Sequence, residues 1–258
     1  MFLRRRTIKY SDYISHYAID AYDITATEDM GHSFKHTERR RMQVISRMVP
    51  GAGVRKVLDI GCGNGELSEI LVRRGMNVIS TDLGFNSIQR ASLKINDRLK
   101  LRPPGDASIR FVQGDIYRLP YDDSSFDAVV ASEIVEHLDN PRDAVSEVAR
   151  VLRPGGYFIV STPYKEQLRY TLCIHCNEKT PVNAHLHSFD EKILEDILAG
   201  AGFTVSRISK YSSRFAELFR IPGLTFFLPY AAWRLLDIVM CGLLGKQSFI
   251  VIKAKHIE

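Results

Sequence analysis

Short apolar runs separated by polar stretches recur along the chain, and they predict the strands of one sheet. The first run ends at Ile60. The others occupy 77–82, 109–115, 125–133, 157–163, 204–208 and 248–253. Strands that alternate with helical segments are typical of a doubly wound α/β fold. We therefore predict a mostly parallel seven-stranded sheet with helices on both faces, an N-terminal helical cap and a helical insertion before the last strand.

A turn with three alternate glycines follows the first predicted strand. Gly61, Gly63 and Gly65 permit positive φ angles and a close approach of the backbone to a ligand before a helix begins near Glu66. Such turns serve NAD, FAD and S-adenosylmethionine sites alike. Here the spacing is G-x-G-x-G rather than G-x-G-x-x-G, and Asp59 stands two residues before the first glycine. A carboxylate would repel a pyrophosphate but suits the ammonium and sulfonium of S-adenosylmethionine, while a turn that serves only packing is the alternative.

Two more strands end in an acid. Asp82 can accept hydrogen bonds from both hydroxyls of a ribose, and Asp115 can accept one from the amino group of an adenine. Each acid alone is equally well interpreted as a helix cap or a turn residue. Three acids at successive strand ends favour one ligand site along the carboxyl edge of the sheet.

Four motifs resemble those of the class I S-adenosylmethionine-dependent methyltransferases, especially the type 11 group with the ubiquinone and menaquinone biosynthesis methyltransferases. The resemblance covers about residues 55–207 and implies a Rossmann-like fold. The motifs read LDIGCGNGELS, TDLG, GDIYRLPYDDSSFDAVVASEIVEHLDNP and VLRPGGYFIVSTP. They are specific for the fold and for S-adenosylmethionine, and they say little about the methyl acceptor.

The resemblance also implies roles for individual residues. Those expected to contact S-adenosylmethionine are Asp59 (loop order and the amine), Gly61, Cys62 and Gly63 (the methionine part), Asp82 (ribose), Leu83 (adenine packing), Asp115 and Ile116 (adenine edge), and a carbonyl of Ser132 or Glu133 (near the amine). We interpret Cys62 as a small buried residue and not as a nucleophile.

Residues 1–52 are expected to form the helical cap, and residues 53–258 the methyltransferase domain. In related enzymes such a segment covers the cofactor, which makes Tyr13, Tyr17 and His36 candidates for lining the acceptor pocket. Simple packing of these rings on the sheet is an equal alternative. One arginine of 39–41 is expected to bind the cofactor carboxylate, because a planar guanidinium matches it bidentately.

The loop 163–190 carries a candidate metal site. Cys173-x-x-Cys176 has the spacing of a zinc knuckle, and His185-x-His187 completes a set of four ligands for tentative zinc. A closed shell would be structural, and an open shell would activate the acceptor. The alternative is a pair of reduced thiols with histidines that line the pocket.

The stretch 212–246 is unusually apolar for an insertion. Pro229, Arg234 and Asp237 argue against a transmembrane span, and so does the return of both ends to one sheet. It is therefore either a lid or self-association surface, or an element that contacts a membrane peripherally through 221–245. Either interpretation favours a small hydrophobic acceptor such as a lipid, a quinone precursor or a secondary metabolite.

The predicted reaction is an in-line displacement at the sulfonium methyl, which mainly requires alignment of the acceptor and exclusion of water. A hydroxyl acceptor also needs a base, and the tentative catalytic candidates are His137, His185 and His187. Glu136 would orient His137. A helix-start cap with packing contacts explains this pair equally well.

Composition changes this picture little. The chain has 258 residues, four cysteines and a formal charge of +5, and its basic start lacks the apolar stretch of a secretory signal. We expect a cytoplasmic protein with reduced thiols, at most peripheral to a membrane. An RNA methyltransferase and a non-catalytic S-adenosylmethionine-binding protein are the rivals, but no RNA-binding module is visible, so a nucleic-acid partner is not expected. The oligomeric state is not predicted.

Overall fold

A computed structural model describes residues 32–99, 105–172, 179–219 and 221–257. The candidates Tyr13, Tyr17, Cys173 and Cys176 lie outside these residues. The helices are α1 (His32–Met48), α2 (Glu66–Arg73), α3 (Phe85–Leu99), α4 (Pro141–Val151), α5 (Glu191–Gly200), α6 (Arg214–Leu218), α7 (Ile221–Leu224) and α8 (Tyr230–Leu244). The strands are β1 (Lys56–Ile60), β2 (Asn77–Asp82), β3 (Ile109–Gln113), β4 (Phe126–Ser132), β5 (Leu152–Pro163), β6 (Tyr170–Leu172), β7 (Lys179–Pro181), β8 (Phe203–Ser213) and β9 (Gln247–His256).

Seven strands form one sheet in the order β3-β2-β1-β4-β5-β9-β8. The first five are parallel, and β9 runs antiparallel between β5 and β8. The strand order reverses between β1 and β4, and a crevice for ligands opens at the carboxyl ends of the strands at such a reversal. The predicted fold class is confirmed.

Several strand boundaries differ from the predicted ones, including the end of the last strand, which continues to His256. The third strand ends at Gln113, because Asp115 already belongs to a turn in which it bridges to Arg118. The fifth begins at Leu152, because the residues after it continue beside β4 through an irregular register. The sixth continues to Ser213, paired with β9.

Two apolar cores lie on opposite faces of the sheet. In β1, Leu58 and Ile60 face one core while Val57 faces the other, as expected for a parallel strand buried on both sides. Helices α4 and α5 cover the first core, and α1 and α2 cover the second, with Trp233 of α8. Helix α2 buries Leu67 and Leu71, four residues apart on one face.

Three helices, α6 to α8, separate β8 from β9, so the predicted helical insertion is present. The ends of the two strands pair at Ser213 and Gln247, which returns the insertion to its starting point. Among the described helices, none is long and apolar enough to cross a membrane.

Candidate functional site

The glycine turn is held against β2 by its backbone. Gly61 N and Cys62 N both donate to the carbonyl of Thr81, at 2.7 and 3.1 Å. Gly61 has φ +67°, and a β-carbon there would lie 1.9 Å from the Cδ1 atom of Ile134. Gly63 has φ +50°, and nothing stands within 4 Å of the position its β-carbon would take. The turn therefore packs tightly at its first glycine and presents open space at its second.

Asp59 lies beneath this turn and not on its surface. Its side chain is 1% exposed and accepts a hydrogen bond from the hydroxyl of Ser68 in α2, to which Ser80 donates in turn at 2.8 Å. Burial raises the pKa of the Asp59 carboxyl to about 7. Through these hydrogen bonds the residue connects β1, β2 and the start of α2, and its predicted role in ordering the loop stays a prediction.

Asp82 fixes the turn from the side. Its Oδ2 atom accepts from Gly63 N at 3.0 Å and its Oδ1 atom from Gly84 N at 2.9 Å. Burial raises the pKa of this carboxyl, although both backbone donors oppose the shift. The next residue, Leu83, accepts at its carbonyl from the Gln113 side chain at 2.9 Å. The end of β2 is thus linked to both neighbouring loops.

Asp115 and Ile116 differ in exposure. Asp115 is partly exposed in the turn after β3, where its Oδ1 atom accepts from Tyr117 N at 3.0 Å. Ile116 is 7% exposed and belongs to the first core, so its side chain faces inward. Cys62, at 8% exposed, is also largely buried, and burial raises the pKa of its thiol.

An ion-pair network lies at the end of β4. Glu133 has φ +56° and accepts from the Ser161 hydroxyl at 2.8 Å, while Arg41 of α1 lies 3.2 Å from its other oxygen. Arg41 also pairs with Glu38 and packs over the ring of Phe249 at 5.5 Å. Burial raises the pKa of Glu133, and Arg41 opposes that shift. Ser132 stands next to the pair, its hydroxyl 3.4 Å from that of Ser161.

The three arginines of 39–41 have different surroundings. Arg39 is exposed, and Arg40 binds backbone carbonyls of the insertion, including Leu228 O at 2.7 Å. Only Arg41 among the three reaches the carboxyl edge of the sheet, through Glu133. Arg41 is therefore the one arginine of the three that pairs with an acid just after β4.

Two histidines and a glutamate form a second polar cluster. One candidate ligand atom from each of Glu136, His137 and His185 lies within 4.8 Å of the other two. The histidine rings are 4.8 Å apart between centroids. Burial, followed by the neighbouring His185, lowers the pKa of His137 to about 4. This arrangement can accept a proton or hold a divalent cation.

Hydrogen bonds fix the orientation of this cluster. His137 donates from Nδ1 to the carbonyl of Ala184 at 3.2 Å, and His185 pairs through Nδ1 with the carboxylate of Glu166. Glu136 accepts from Thr162 at its Oε2 atom, while its Oε1 atom is buried without a hydrogen-bond partner among the described residues. Burial raises the pKa of Glu136, and the neighbouring Glu133 adds to the shift. A buried carboxylate oxygen of this kind is a natural cation ligand.

His187 stands apart from this cluster. Its Nε2 atom donates to the carbonyl of Leu138 at 2.8 Å, and its ring packs beside Phe189. His137 and His185 meet because the loop after β5 folds back on the turn after β4, where Leu186 N donates to Glu136 O at 2.7 Å. The tentative four-ligand zinc set with both cysteines remains a prediction.

Two residues at the site were absent from the sequence-based candidates. Glu166 belongs to no motif, and it reaches His185 only because the chain folds back after β5. Tyr211 is a fully buried residue of β8, and burial together with Glu133 raises the pKa of its hydroxyl. No local pattern along the chain marks either residue, since both depend on contacts between distant segments.

The segment that contains the glycine turn, Asp82 and Asp115 is similar to known proteins. Residues 58–160 match the family model of the methyltransferase domain. A probable S-adenosylmethionine-dependent methyltransferase of Mycolicibacterium smegmatis is 31% identical over 168 residues, which cover 65% of this chain and 59% of that protein. A ubiquinone biosynthesis O-methyltransferase of Xylella fastidiosa is 35% identical over 134 residues, 52% of each chain. The chain thus spans little more than half the length of these relatives.

Solved structures support the fold. The crystal structure of the [4+2]-cyclase SpnF superposes with a TM-score of 0.66 at 17% identity, covering 98% of this chain and 99% of that one. A S-adenosylmethionine-dependent methyltransferase from Mesorhizobium loti has a TM-score of 0.57 at 17% identity, covering 83% and 96%. The sequence matches confirm the resemblance to S-adenosylmethionine-dependent methyltransferases, whereas the superpositions support the fold alone.

Proposed function

We propose, from the premise that residues 58–160 form a methyltransferase domain, that the chain transfers a methyl group from S-adenosylmethionine to a small hydrophobic acceptor. The observation that carries this proposal is the glycine turn at the carboxyl edge of the sheet. Asp82 fixes the turn through Gly63 N, and Gly63 faces open space into which any β-carbon would project. This cradle fits a ligand that must approach the backbone closely.

The chain's own residues would hold the two ends of the donor. Asp82 at the end of β2 and Asp115 in the turn after β3 would supply carboxylates for the ribose and the adenine, and Leu83, which follows Asp82, would pack on the adenine. Arg41, which is paired with Glu133 just after β4, would bind the carboxylate at the methionine end. When bound, S-adenosylmethionine supplies a methyl group activated by its positive sulfur, and S-adenosylhomocysteine is the leaving group.

For a hydroxyl acceptor, His185 is the base. Its Nδ1 atom is paired with Glu166, so a proton from the acceptor would go to Nε2, and the Glu166 carboxylate would stabilise the resulting imidazolium. His137 lies against the same ring and is held by the Ala184 carbonyl. Glu166 acts as a positioning residue that fixes the tautomer of His185.

A second candidate role for the cluster is to bind a divalent cation through Glu136, His137 and His185. It is favoured by the buried Oε1 atom of Glu136, which lacks a donor among the described side chains and backbone groups. A cation there would lower the pKa of an acceptor hydroxyl directly. This site shares His185 with the tentative zinc set but needs neither cysteine.

Metal analysis separates these alternatives. The full chain and the double variant Cys173→Ser/Cys176→Ser would be measured for zinc, magnesium and manganese before and after dialysis against a chelator. Metal that survives the double substitution but is lost in His185→Ala supports the Glu136 cluster, whereas metal lost in the double variant supports the zinc loop. If no preparation binds a metal and chelation leaves activity unchanged, the result supports His185 as a base that acts without a metal.

The acceptor class rests on the apolar insertion and on the names of relatives. One relative is named a ubiquinone biosynthesis O-methyltransferase, whose name implies an apolar acceptor. A labelled-methyl assay would offer lipid extract, total RNA and protein to the full chain, with His187→Gln as the matched control for His185→Ala. We expect label in the lipid fraction and a large loss only in His185→Ala. Label in RNA alone contradicts the hydrophobic acceptor, and label nowhere contradicts catalysis.

A further inference from the structure

The insertion between β8 and β9 exposes large apolar side chains over three consecutive helices. Six of them are each at least 65% exposed, namely Leu218, Phe219, Leu224, Phe227, Leu235 and Leu243. We call this surface the apolar face. Scattered exposed leucines are ordinary, but a contiguous stretch within one insertion points to a partner surface.

Helix α8 differs from an ordinary surface helix, because its charged side chains face the protein and its apolar side chains face outward. Its inward positions are Trp233, Asp237 and Cys241, spaced four residues apart and all buried. Asp237 accepts from Ser212 N at 2.9 Å and pairs with Arg234, which also donates to Ser209 Oγ at 2.7 Å.

The charges of α8 therefore face the protein. The outward positions are apolar, with Ile238 at 54% and Leu243 at 80% exposed. In water a surface helix buries its apolar stripe, so this inversion fits an apolar medium outside. It also counts against a simple lid, because a lid would bury these side chains on its own domain.

The geometry allows an interfacial position but no crossing. Helix α8 has 15 residues and is therefore about 22 Å long, against roughly 30 Å for a hydrocarbon core. The pairing of Ser213 with Gln247 returns both ends of the insertion to the same strands. The insertion would thus lie along a surface.

Basic residues border the apolar face. Helix α1 packs beside α7, and its exposed positions include Lys35, Arg39 and Arg47. Arg47 lies 3.7 Å over the ring of Tyr230, at the start of α8. Glu38 is the only acid of α1, and it is paired with Arg41. A positive border around an apolar face complements anionic lipid headgroups above acyl chains.

We propose that helices α6 to α8 dock on the surface of a bilayer that contains anionic phospholipid. The apolar face enters the acyl region, and the exposed basic residues of α1 contact the headgroups. The docking is independent of methyl transfer, since it rests on none of the residues of the candidate site.

Vesicle flotation with the full chain tests this proposal. The vesicles are phosphatidylcholine alone or mixed with phosphatidylglycerol. We expect binding to the mixed vesicles and much weaker binding to phosphatidylcholine. The double variant Phe227→Glu/Leu243→Glu should weaken binding by about a hundredfold or more, because two large apolar side chains no longer enter the bilayer. Leu93→Glu, at an equally exposed leucine of α3, is the matched control and should bind as the wild type does.

Charge and folding have their own controls. Arg39→Glu should weaken binding to the anionic vesicles about tenfold or more, whereas Lys192→Glu on α5 should not. Emission from Trp233, the single tryptophan, reports that the insertion remains packed in each variant.

Three outcomes overturn the proposal. One is a wild-type chain that floats with neither vesicle, and another is binding that Phe227→Glu/Leu243→Glu leaves unchanged. The third is a stable dimer in solution that this variant converts to a monomer, since a second copy would then cover the apolar face. A wild-type chain that binds the mixed vesicles but transfers no methyl group would instead count against the proposed function alone.

Discussion

At the scale of single residues, the two glycines of the turn have different requirements. At Gly61 a side chain would collide with Ile134, so its role is packing. At Gly63 the surroundings are open, and the requirement comes from its φ of +50° and from the ligand expected there. The same motif therefore combines a glycine that is required by packing with one that faces open space, and the sequence pattern does not distinguish the two.

Gly63→Ala should abolish or strongly weaken the binding of S-adenosylhomocysteine while costing only about 1–2 kcal/mol of stability for the left-handed backbone. Gly53→Ala is the matched control, since Gly53 has φ +75°, equally open surroundings and a position outside the turn. Isothermal titration calorimetry and thermal unfolding would measure both variants. Equal affinity for the ligand in the two variants would contradict the cradle.

The buried Asp59 should make the stability of the ligand-free chain depend on pH. Its folded-state pKa of about 7 lies above the ordinary pKa of 3.8 for an aspartate, so the folded chain binds more protons than the unfolded chain between these pH values. Stability from this residue is therefore fully present below about pH 4 and is lost as the pH rises to 7.

The variant Asp59→Asn lacks this loss. The difference in free energy of unfolding between the variant and the wild type should therefore change in favour of the variant by at most about 4 kcal/mol between pH 4 and 8. Urea denaturation across this range would measure the difference. Asp139→Asn, at an exposed position, is the control. Parallel pH profiles for the wild type and Asp59→Asn would show that the carboxyl is ionised throughout.

At the scale of elements, α1 is tied to the insertion by one side chain. Arg40 is 5% exposed, donates to the carbonyls of Thr225 and Leu228 at 3.1 and 2.7 Å, and lies 5.2 Å over the ring of Trp233. These contacts join segments almost 190 residues apart, and they set where the apolar face stands relative to the basic residues of α1.

Arg40→Ala should loosen this connection and cost about 2–3 kcal/mol, because buried carbonyls lose a charged donor. Limited proteolysis should then cut the chain within 219–230 sooner than in the wild type. Arg39→Ala removes the same charge at an exposed neighbour and should leave the digestion rate unchanged. Protection of the segment in both variants would show that the insertion is held elsewhere.

The elements themselves follow the sequence closely. Strand β2 and the start of α2 lie where the pattern predicts, because apolar runs and glycine turns act over a few residues. The shifted end of β3 and the early start of β5 depend instead on contacts with neighbouring segments. Such contacts leave no periodic signal in the segment itself.

At the scale of the whole molecule, both cores share the strands of one sheet, and Trp233 of the insertion belongs to the second core. We expect far-ultraviolet circular dichroism and Trp233 fluorescence to report coincident unfolding transitions in urea. S-adenosylhomocysteine at about a hundred times its dissociation constant should raise the free energy of unfolding by about 2.7 kcal/mol in both transitions. A fluorescence transition that precedes the loss of secondary structure would identify the insertion as a separate unit.

The sequence by itself determined the strand and turn pattern, the acids at the strand ends, the expected donor and the apolar nature of the insertion, since these are properties of neighbouring residues. Tertiary structure alone decided which arginine meets Glu133, that His137 faces His185, and that α8 turns its charges inward. Those arrangements join segments distant in the chain, and burial and hydrogen bonding at their meeting points select among partners that local patterns leave equivalent.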